Sequence, residues 1–295
     1  MMLDFRHETF LTLYKIGSYT KAAQALHLTQ PAVTQHIQFL EQYYGCRLFT
    51  YKGKILRPTC EAHKLFHFAA AMRADSEKLH LSLADSGDTV PALLFGATLT
   101  IGEYIMPKVI EKLLRENESL KITMQVDNTK MLLEKLRQAE VDFVLLEGFF
   151  NAEDYASCLL MQAEFIPVCG ELSPFAKGSH SLKELLSARL ITREKGSGTR
   201  EVLEQVMSEN NLSLEGFRSV CEIGNISAIK QIVEQNCGVT FLYKAACEKE
   251  LADGKLVEIK LPGGSIQRAF NFVYLKDSLR REEFLQCFDR LRQRI

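Results

Sequence analysis

Residues 18–45, SYTKAAQALHLTQPAVTQHIQFLEQYYG, decide the fold of the N-terminal part of the chain. The pattern predicts two short helices joined by a tight turn, in which the apolar Leu28 is expected to point inward. Thr29 is placed to cap the second helix, and Pro31 is tolerated in its first turn because N–H groups there have no partner within the helix. Gly45 can adopt the left-handed conformation that ends a helix. This arrangement is typical of a helix-turn-helix.

The second helix has two different faces. Val33, Ile37 and Leu40 recur at i, i+4 and i+7, which predicts one buried apolar stripe. The other face carries amide and hydroxyl groups that can bond base edges in a DNA groove. The candidate DNA-binding residues on this helix are Gln30, Pro31, Thr34, Gln35 and Gln38. A helical hairpin with a solvated amide face is the competing interpretation, because amides alone do not separate the two.

Residues 22–49 resemble the N-terminal signature of LysR-type transcriptional regulators. The resemblance is carried by Ala22, Ala23, Leu26, Leu28, Thr29, Gln30, Pro31, Ala32, Ile37, Leu40, Glu41, Gly45, Leu48 and Phe49. The chain departs from the family at Gln35 or Gln38 and at Thr50, where basic residues are frequent, and at Ala62, where glycine is usual. The resemblance implies a homo-oligomeric regulator, a dimer or tetramer, that binds double-stranded DNA. Its implied branch includes regulators of carbon fixation and of sulfur and selenium metabolism.

Positive charge is concentrated near the N-terminus. Residues 1–60 contain seven basic and three acidic residues, although the whole chain has a formal net charge of −1. Such a local field suits phosphate binding. Apolar pairs on both sides of residues 51–54 predict a two-stranded wing, in which Lys52 and Lys54 are candidate phosphate contacts. A solvated hairpin turn is the alternative.

Beyond the wing the pattern predicts a long helix followed by alternating strands and helices. Leu65, Met72 and Leu79 fall seven residues apart, which indicates a dimerisation helix. Residues 85–88, Asp-Ser-Gly-Asp, are the best domain boundary, and the alternation after them predicts parallel sheets. The expected fold is α/β with an N-terminal winged helix-turn-helix, a long linker helix and two α/β subdomains; the resemblance implies that these are of periplasmic-binding-protein type. The expected boundaries are 1–58 for the winged helix-turn-helix, 59–88 for the linker helix, 89–161 plus 267–295 for subdomain 1 and 162–266 for subdomain 2.

Three stretches lead into helices after strands, where open α/β sheets bind ligands: residues 96–103, 194–200 and 224–227. Free N–H groups and the positive end of the helix dipole favour an anion at such points. In the first stretch, Thr100 and Glu103 are spaced as a capping box. The candidate effector-binding residues are Thr98, Thr100, Ile101, Glu147, Ser197, Gly198, Thr199 and Asn225. Ordinary capping explains any single stretch, and Arg200 can either serve an anion or pair with Glu204 on its own helix.

Other function classes find little support in the sequence. It contains no Gly-x-Ser-x-Gly elbow, phosphate-binding P-loop, His-Glu-x-x-His or Cys-x-x-Cys motif, so we expect no enzymatic activity, no cofactor and no metal site. No apolar run suits a membrane span and no signal peptide precedes the first helix, so we expect a cytoplasmic protein. The sequence therefore predicts a transcriptional regulator controlled by a small anionic effector bound between the two subdomains. The alternative is a thiol-based redox sensor on the same scaffold, acting through Cys237 and Cys247.

Overall fold

The computed structural model describes residues 4–53, 55–84, 92–138, 140–151, 155–276 and 278–295. Lys54 and the predicted domain boundary at residues 85–88 therefore lie outside the described residues. Contacts within the chain define two compact units, one holding the residues before 85 with two short later segments, and one holding most of the residues after 91. In the described part of the chain, every helix is too short or too polar to cross a bilayer.

The first unit contains the predicted helix-turn-helix. Its elements are α1 Phe5–Ile16, α2 Tyr19–Ala25, α3 Gln30–Tyr44, the antiparallel hairpin of β1 Phe49–Lys52 and β2 Ile55–Pro58, and α4 Cys60–Ala84. The hydroxyl of Thr29 accepts a hydrogen bond from the Ala32 N–H at 3.4 Å, and Gly45 ends α3 with φ +66°. Val33, Ile37 and Leu40 are at most 1% exposed, so the predicted apolar stripe is confirmed.

One detail of the predicted helix-turn-helix is wrong. Leu28 is 39% exposed and does not point inward. Ala22 and Ala23 of α2 and Val33 of α3 are at most 4% exposed, so the two helices bury their own apolar residues while the turn residue stays at the surface.

The long helix α4 has two different surroundings. Its first half packs into the core of the first unit through Ala62, Phe66 and Ala69, which are at most 2% exposed. Phe68 and Leu79 are 52% and 45% exposed, so α4 presents apolar side chains outside that core. The helix is confirmed, and its role in dimerisation stays a prediction.

The second unit is a single mixed sheet with helices packed on it. The strands are β3 Ala92–Thr98, β4 Lys121–Asp127, β5 Phe143–Leu146, β6 Tyr155–Gly170, β7 Arg189–Thr192, β8 Ser219–Glu222, β9 Val239–Tyr243, β10 Leu256–Glu258 and β11 Ile266–Leu275. The helices are α5 Met106–Glu116, α6 Thr129–Arg137, α7 Leu182–Leu185, α8 Gly198–Glu209, α9 Ile226–Glu234, α10 Glu248–Ala252 and α11 Arg281–Arg292. The strand order is β4-β3-β5-β11-β6-β9-β7-β8, and β10 pairs with β6.

Two long antiparallel strands join the halves of this sheet. β3, β4 and β5 are parallel to one another, as are β7, β8 and β9, so a parallel arrangement is found within each half. β11 pairs along its length with residues 155–165 of β6 between the halves, with a register shift between Phe270 and Asn271. The predicted parallel sheet is therefore too simple, because the strands that connect the subdomains run antiparallel to their neighbours.

Candidate functional site

The face of α3 that the sequence assigned to DNA is exposed. Gln30, Pro31, Gln35 and Gln38 are open to solvent, and Lys52 is exposed at the end of β1. Thr34 is half-buried, and its hydroxyl donates to the carbonyl of Gln30 at 3.0 Å. The face is polar, and α3 itself contains neither lysine nor arginine. Base contacts from these residues stay predictions.

Glu41, named in the sequence only through the family resemblance, fixes the start of the wing. Its Oε1 accepts the Leu48 N–H at 2.9 Å, and its Oε2 lies 2.9 Å from Nη1 of Arg47. One carboxylate on α3 therefore orients the chain as it enters β1. A charged acceptor strengthens such backbone hydrogen bonds, so the wing and α3 are held in a defined relation.

The second site centres on Glu147, which directly follows β5. The residue is 1% exposed, and its carboxylate accepts hydrogen bonds from the hydroxyls of Thr98, Thr100 and Thr199. The oxygen–oxygen distances are 3.2 Å for Thr100 and 3.0 Å for Thr199. Burial raises the pKa of Glu147, while the three hydroxyls and the charge of Arg193 act in the opposite direction. Residues far apart in sequence, from both halves of the sheet, thus meet at one buried carboxylate.

The capping box predicted for Thr100 and Glu103 is not formed. Residues 101–105 form a π-helical turn before α5, and the side chain of Thr100 does not cap it. Its hydroxyl donates to Glu147 instead. A buried, charged acceptor is a stronger partner than a local backbone amide, which explains the outcome.

Two groups at this site have no role in the sequence-based prediction. Arg193 follows β7 and is 2% exposed, and its Nε and Nη2 bond the carboxylate of Glu194 at 2.8 and 3.0 Å. Tyr243 ends β9, and its hydroxyl is buried without a hydrogen-bond partner among the described residues. Burial and the charge of Glu147 raise the pKa of Tyr243 well above its usual value, so the phenol stays neutral. The only signal for either residue is its position at the carboxyl end of a strand.

Glycines allow the two halves of the sheet to touch beside Glu147. A Cβ on Gly198 would lie 2.3 Å from the Glu147 carbonyl oxygen and 2.6 Å from the hydroxyl of Thr129. That hydroxyl donates to the same carbonyl at 3.1 Å. Gly148 has φ +97°, and a Cβ there would lie 2.9 Å from the Cα of Gly198. The contact therefore depends on the absence of side chains at both positions.

The remaining predicted residues have different surroundings. Ser197 is the N-cap of α8 and is 1% exposed, but its hydroxyl makes no capping hydrogen bond. Asn225 caps α9 by accepting the Ala228 N–H at 2.8 Å. Ile101 is fully buried in the hydrophobic core. Arg200 pairs with Glu204 at 2.8 Å and also with Glu222, so the helix-surface interpretation of Arg200 describes its contacts.

A second contact between the halves involves Lys230 of α9. Its Nζ lies 2.8 Å from Oε1 of Glu250, donates to the Ala246 carbonyl at 2.7 Å and lies 4.8 Å from the ring centroid of Tyr104. The residue is 6% exposed. This buried cation links α9 to the π-helical turn that follows β3.

The two cysteines of the redox alternative differ in environment. Cys237 is exposed and precedes β9, whereas Cys247 follows that strand and is fully buried. Burial raises the pKa of the Cys247 thiol to about 12. A thiol of that pKa is protonated near neutral pH and is a poor nucleophile, so the environment of Cys247 does not favour a redox role for that residue, and the redox alternative stays a prediction.

Comparisons with known families cover both units. The family described as "LysR substrate binding domain" matches residues 86–295, and "Bacterial regulatory helix-turn-helix protein, lysR family" matches residues 6–63.

Curated relatives extend over most of the chain. YeiE, an HTH-type transcriptional regulator of Escherichia coli K12, is 31% identical over 86% of this chain and 85% of its own. CysL of Bacillus subtilis, also an HTH-type transcriptional regulator, is 27% identical over 90% and 89%. The "Probable RuBisCO transcriptional regulator" of Cyanophora paradoxa is 28% identical over 87% and 81%. These relatives match the branch that the resemblance implied.

Solved structures share the fold. A cysteine variant of full-length OxyR from Pseudomonas aeruginosa has a TM-score of 0.65 with 21% identity, covering 99% of this chain and 95% of its own. The regulatory domain of Synechocystis CcmR, in complex with 2-PG, has a TM-score of 0.60 with 20% identity, covering 67% and 95%. At these identities the likeness concerns the fold alone.

Proposed function

This chain belongs to the LysR family of bacterial transcriptional regulators, and from that premise we propose that it is a cytoplasmic regulator whose α3 and wing contact DNA and whose second unit binds a small anion. The proposed division keeps the predicted boundaries: 1–58 for DNA, 59–88 for dimerisation, and 89–161 plus 267–295 and 162–266 for the two effector subdomains. The effector would bind between these subdomains and favour one arrangement of them. Dimers or tetramers of the chain would bind paired half-sites.

The DNA part of the proposal rests on the exposed amide face of α3 beside the basic wing. Gln35 and Gln38 would contact base edges, and Lys52 would contact phosphates. A DNA duplex selected from a random pool by the wild-type protein provides the probe. We expect Gln35→Ala to reduce the difference in binding free energy between this duplex and a scrambled one by about 1–3 kcal/mol. Gln293→Ala, at an exposed glutamine of the second unit, is the control.

Lys52→Ala should act differently. Because a phosphate contact carries no sequence information, we expect weaker binding to both duplexes and a salt dependence reduced by about one charge. Fluorescence anisotropy over a range of salt concentrations measures both quantities. If Gln35→Ala and Lys52→Ala both bind like the control, the assignment of this face to DNA is wrong.

One observation carries the effector proposal: the N-terminus of α8 has no side-chain cap, and Arg200 in its first turn donates to the carbonyl of the buried Arg193. Ser197 does not cap α8 although it is almost fully buried, so its hydroxyl and the first N–H groups of α8 can donate hydrogen bonds to an anion. The relative CcmR was solved in complex with 2-PG, which supports placing that compound among the candidates.

Thermal unfolding of the full chain against sulfate, sulfite, thiosulfate, selenite, phosphate, dicarboxylates, phosphorylated sugars and 2-PG tests this. A ligand at 100 times its Kd stabilises the native state by about 2.7 kcal/mol, which raises Tm by several degrees. Ser197→Ala should abolish the rise, and Ser208→Ala, at the exposed far end of the same helix, should preserve it. An intact fold with no response across the panel refutes an anionic effector.

A further inference from the structure

The hydroxyls predicted to hold an effector already hold the chain's own carboxylate. Thr98 donates to one oxygen of Glu147, and Thr100 and Thr199 donate to the other. Each hydroxyl has a single proton to donate, so all three are committed. An anion at this site therefore cannot gain a hydrogen bond from these threonines while Glu147 keeps its position.

Other groups around the carboxylate still favour a ligand. The hydroxyls of Ser197 and Tyr243 are nearly or fully buried; the first does not cap its helix, and the second has no partner among the described residues. The guanidinium of Arg193 is buried and bonded to Glu194, and its charge reaches Glu147. An anion at the start of α8 would thus be close to these donors and this positive charge, and also to the Glu147 carboxylate, which Thr199 of the same helix turn contacts.

The carboxylate decides which anions suit such a site. A ligand oxygen that carries a proton donates a hydrogen bond to Glu147, whereas a fully ionised oxyanion presents a like charge with no proton between them. Resting on the proposed anionic effector, we propose that Glu147 makes the cleft selective for oxyanions that retain an acidic proton. Phosphate and sulfate separate this from general anion binding, because their shapes are similar but only phosphate keeps a proton near neutral pH.

The same chemistry makes the binding of an ionised anion depend on pH. Because sulfate has no proton to donate, it can bind only when Glu147 itself carries the proton that lies between the two groups. The other groups facing Glu147 do not offset the repulsion between two negative charges: Arg193 is already paired with Glu194, and the phenol of Tyr243 stays neutral and adds no positive charge. Sulfate affinity should therefore increase up to tenfold for each pH unit of acidification while Glu147 is mostly ionised, and phosphate affinity should change less.

Calorimetric titration of the full chain with phosphate and with sulfate at about pH 7.5 is the test. We expect wild type to bind phosphate roughly 10- to 100-fold more tightly than sulfate, which is the effect expected from leaving one buried hydrogen-bonding group unpaired. Glu147→Gln replaces the carboxylate with an amide that can donate, so it should bind sulfate more tightly and reduce the preference at least tenfold. Glu201→Gln removes a half-buried carboxyl from the first turn of α8 and should leave the preference unchanged.

The outcomes are distinguishable. Equal binding of the two anions by wild type, or an unchanged preference in Glu147→Gln, overturns the role of Glu147 and leaves the anionic effector standing. Binding of neither anion by any variant, with no response to the wider panel, overturns the effector proposal and this inference together. If Glu147→Gln does not fold, the pH dependence of sulfate binding by wild type decides: an affinity that does not increase on acidification contradicts the inference.

Discussion

Replacing Gly198 with alanine should separate the two halves of the second unit beside Glu147. The new Cβ would lie 2.3 Å from the Glu147 carbonyl oxygen, a backbone atom that cannot rotate away, and 2.6 Å from the hydroxyl of Thr129. Overpacking of this kind costs about 1–3 kcal/mol. Losing the hydrogen bond from Thr129 to that carbonyl adds about 1 kcal/mol. We therefore expect the free energy of unfolding to fall by about 2–4 kcal/mol.

Thermal unfolding followed by circular dichroism measures the effect. In a domain of about 200 residues, each kcal/mol corresponds to a Tm change of about 2–4 °C, so Gly198→Ala should lower Tm by about 4–16 °C. Gly224→Ala is the control, because Gly224 also lies near the start of a helix but its Cβ would lie 3.6 Å from the nearest atom, Oε2 of Glu194. That variant should be neutral or slightly more stable. Equal Tm values for the two variants would refute the tight contact.

Three further results are expected. Burial raises the pKa of Glu147 from 4.5, so at a pH between that value and the native pKa the folded protein retains a proton that the unfolded chain releases. In urea unfolding, wild type should therefore lose stability relative to Glu147→Gln from about pH 4.5 upward, by at most about 1.4 kcal/mol per pH unit. Parallel plots of stability against pH for the two proteins would contradict this. A thiol reagent should modify Cys237 in the native protein but Cys247 only after unfolding, because Cys247 is buried and its pKa is raised to about 12. Fast labelling of Cys247 in the native protein would instead favour the redox alternative. Lys230→Met should lower the free energy of unfolding by about 3–5 kcal/mol, because Glu250 would lose its buried partner. Adding Glu250→Gln to this variant should recover part of the lost stability, as measured by thermal unfolding.

Local signals carried most of the sequence-based prediction of the first unit. The cap at Thr29, the left-handed Gly45 and the spacing of Val33, Ile37 and Leu40 each act within a few residues, so the helix-turn-helix follows from them directly. The prediction for Leu28 was wrong because the burial of a turn residue depends on how the helices on either side of it pack, and the local sequence does not determine that. Spacing within a helix is visible in sequence, whereas the space left between helices is not.

The second unit was harder to predict, for a related reason. The edge strand β8 has four exposed residues and therefore no apolar alternation to mark it. The first half of β6 pairs with β11, about 100 residues later, and nothing in the local sequence indicates that partner.

At the site, Thr98, Thr100, Glu147, Ser197 and Thr199 were predicted as candidate residues, and the structure brings them together. The sequence did not predict that the threonines bond the glutamate, because that choice depends on a buried carboxylate 47 to 52 residues away from each of them.

The pairing of β11 with both β5 and β6 imposes an order on biosynthesis. The helix-turn-helix and α4 are complete once residue 84 has been made, so this part can begin to fold as it leaves the ribosome, before the two later segments of the first unit are made. The first half of the large sheet cannot close until β11, which ends at Leu275, emerges. At ordinary translation rates this leaves roughly 5–25 s during which β5 and β6 lack their partner strand. The nascent chain therefore exposes two apolar strand edges after its DNA-binding region has folded, and that interval is when chaperone protection would matter most.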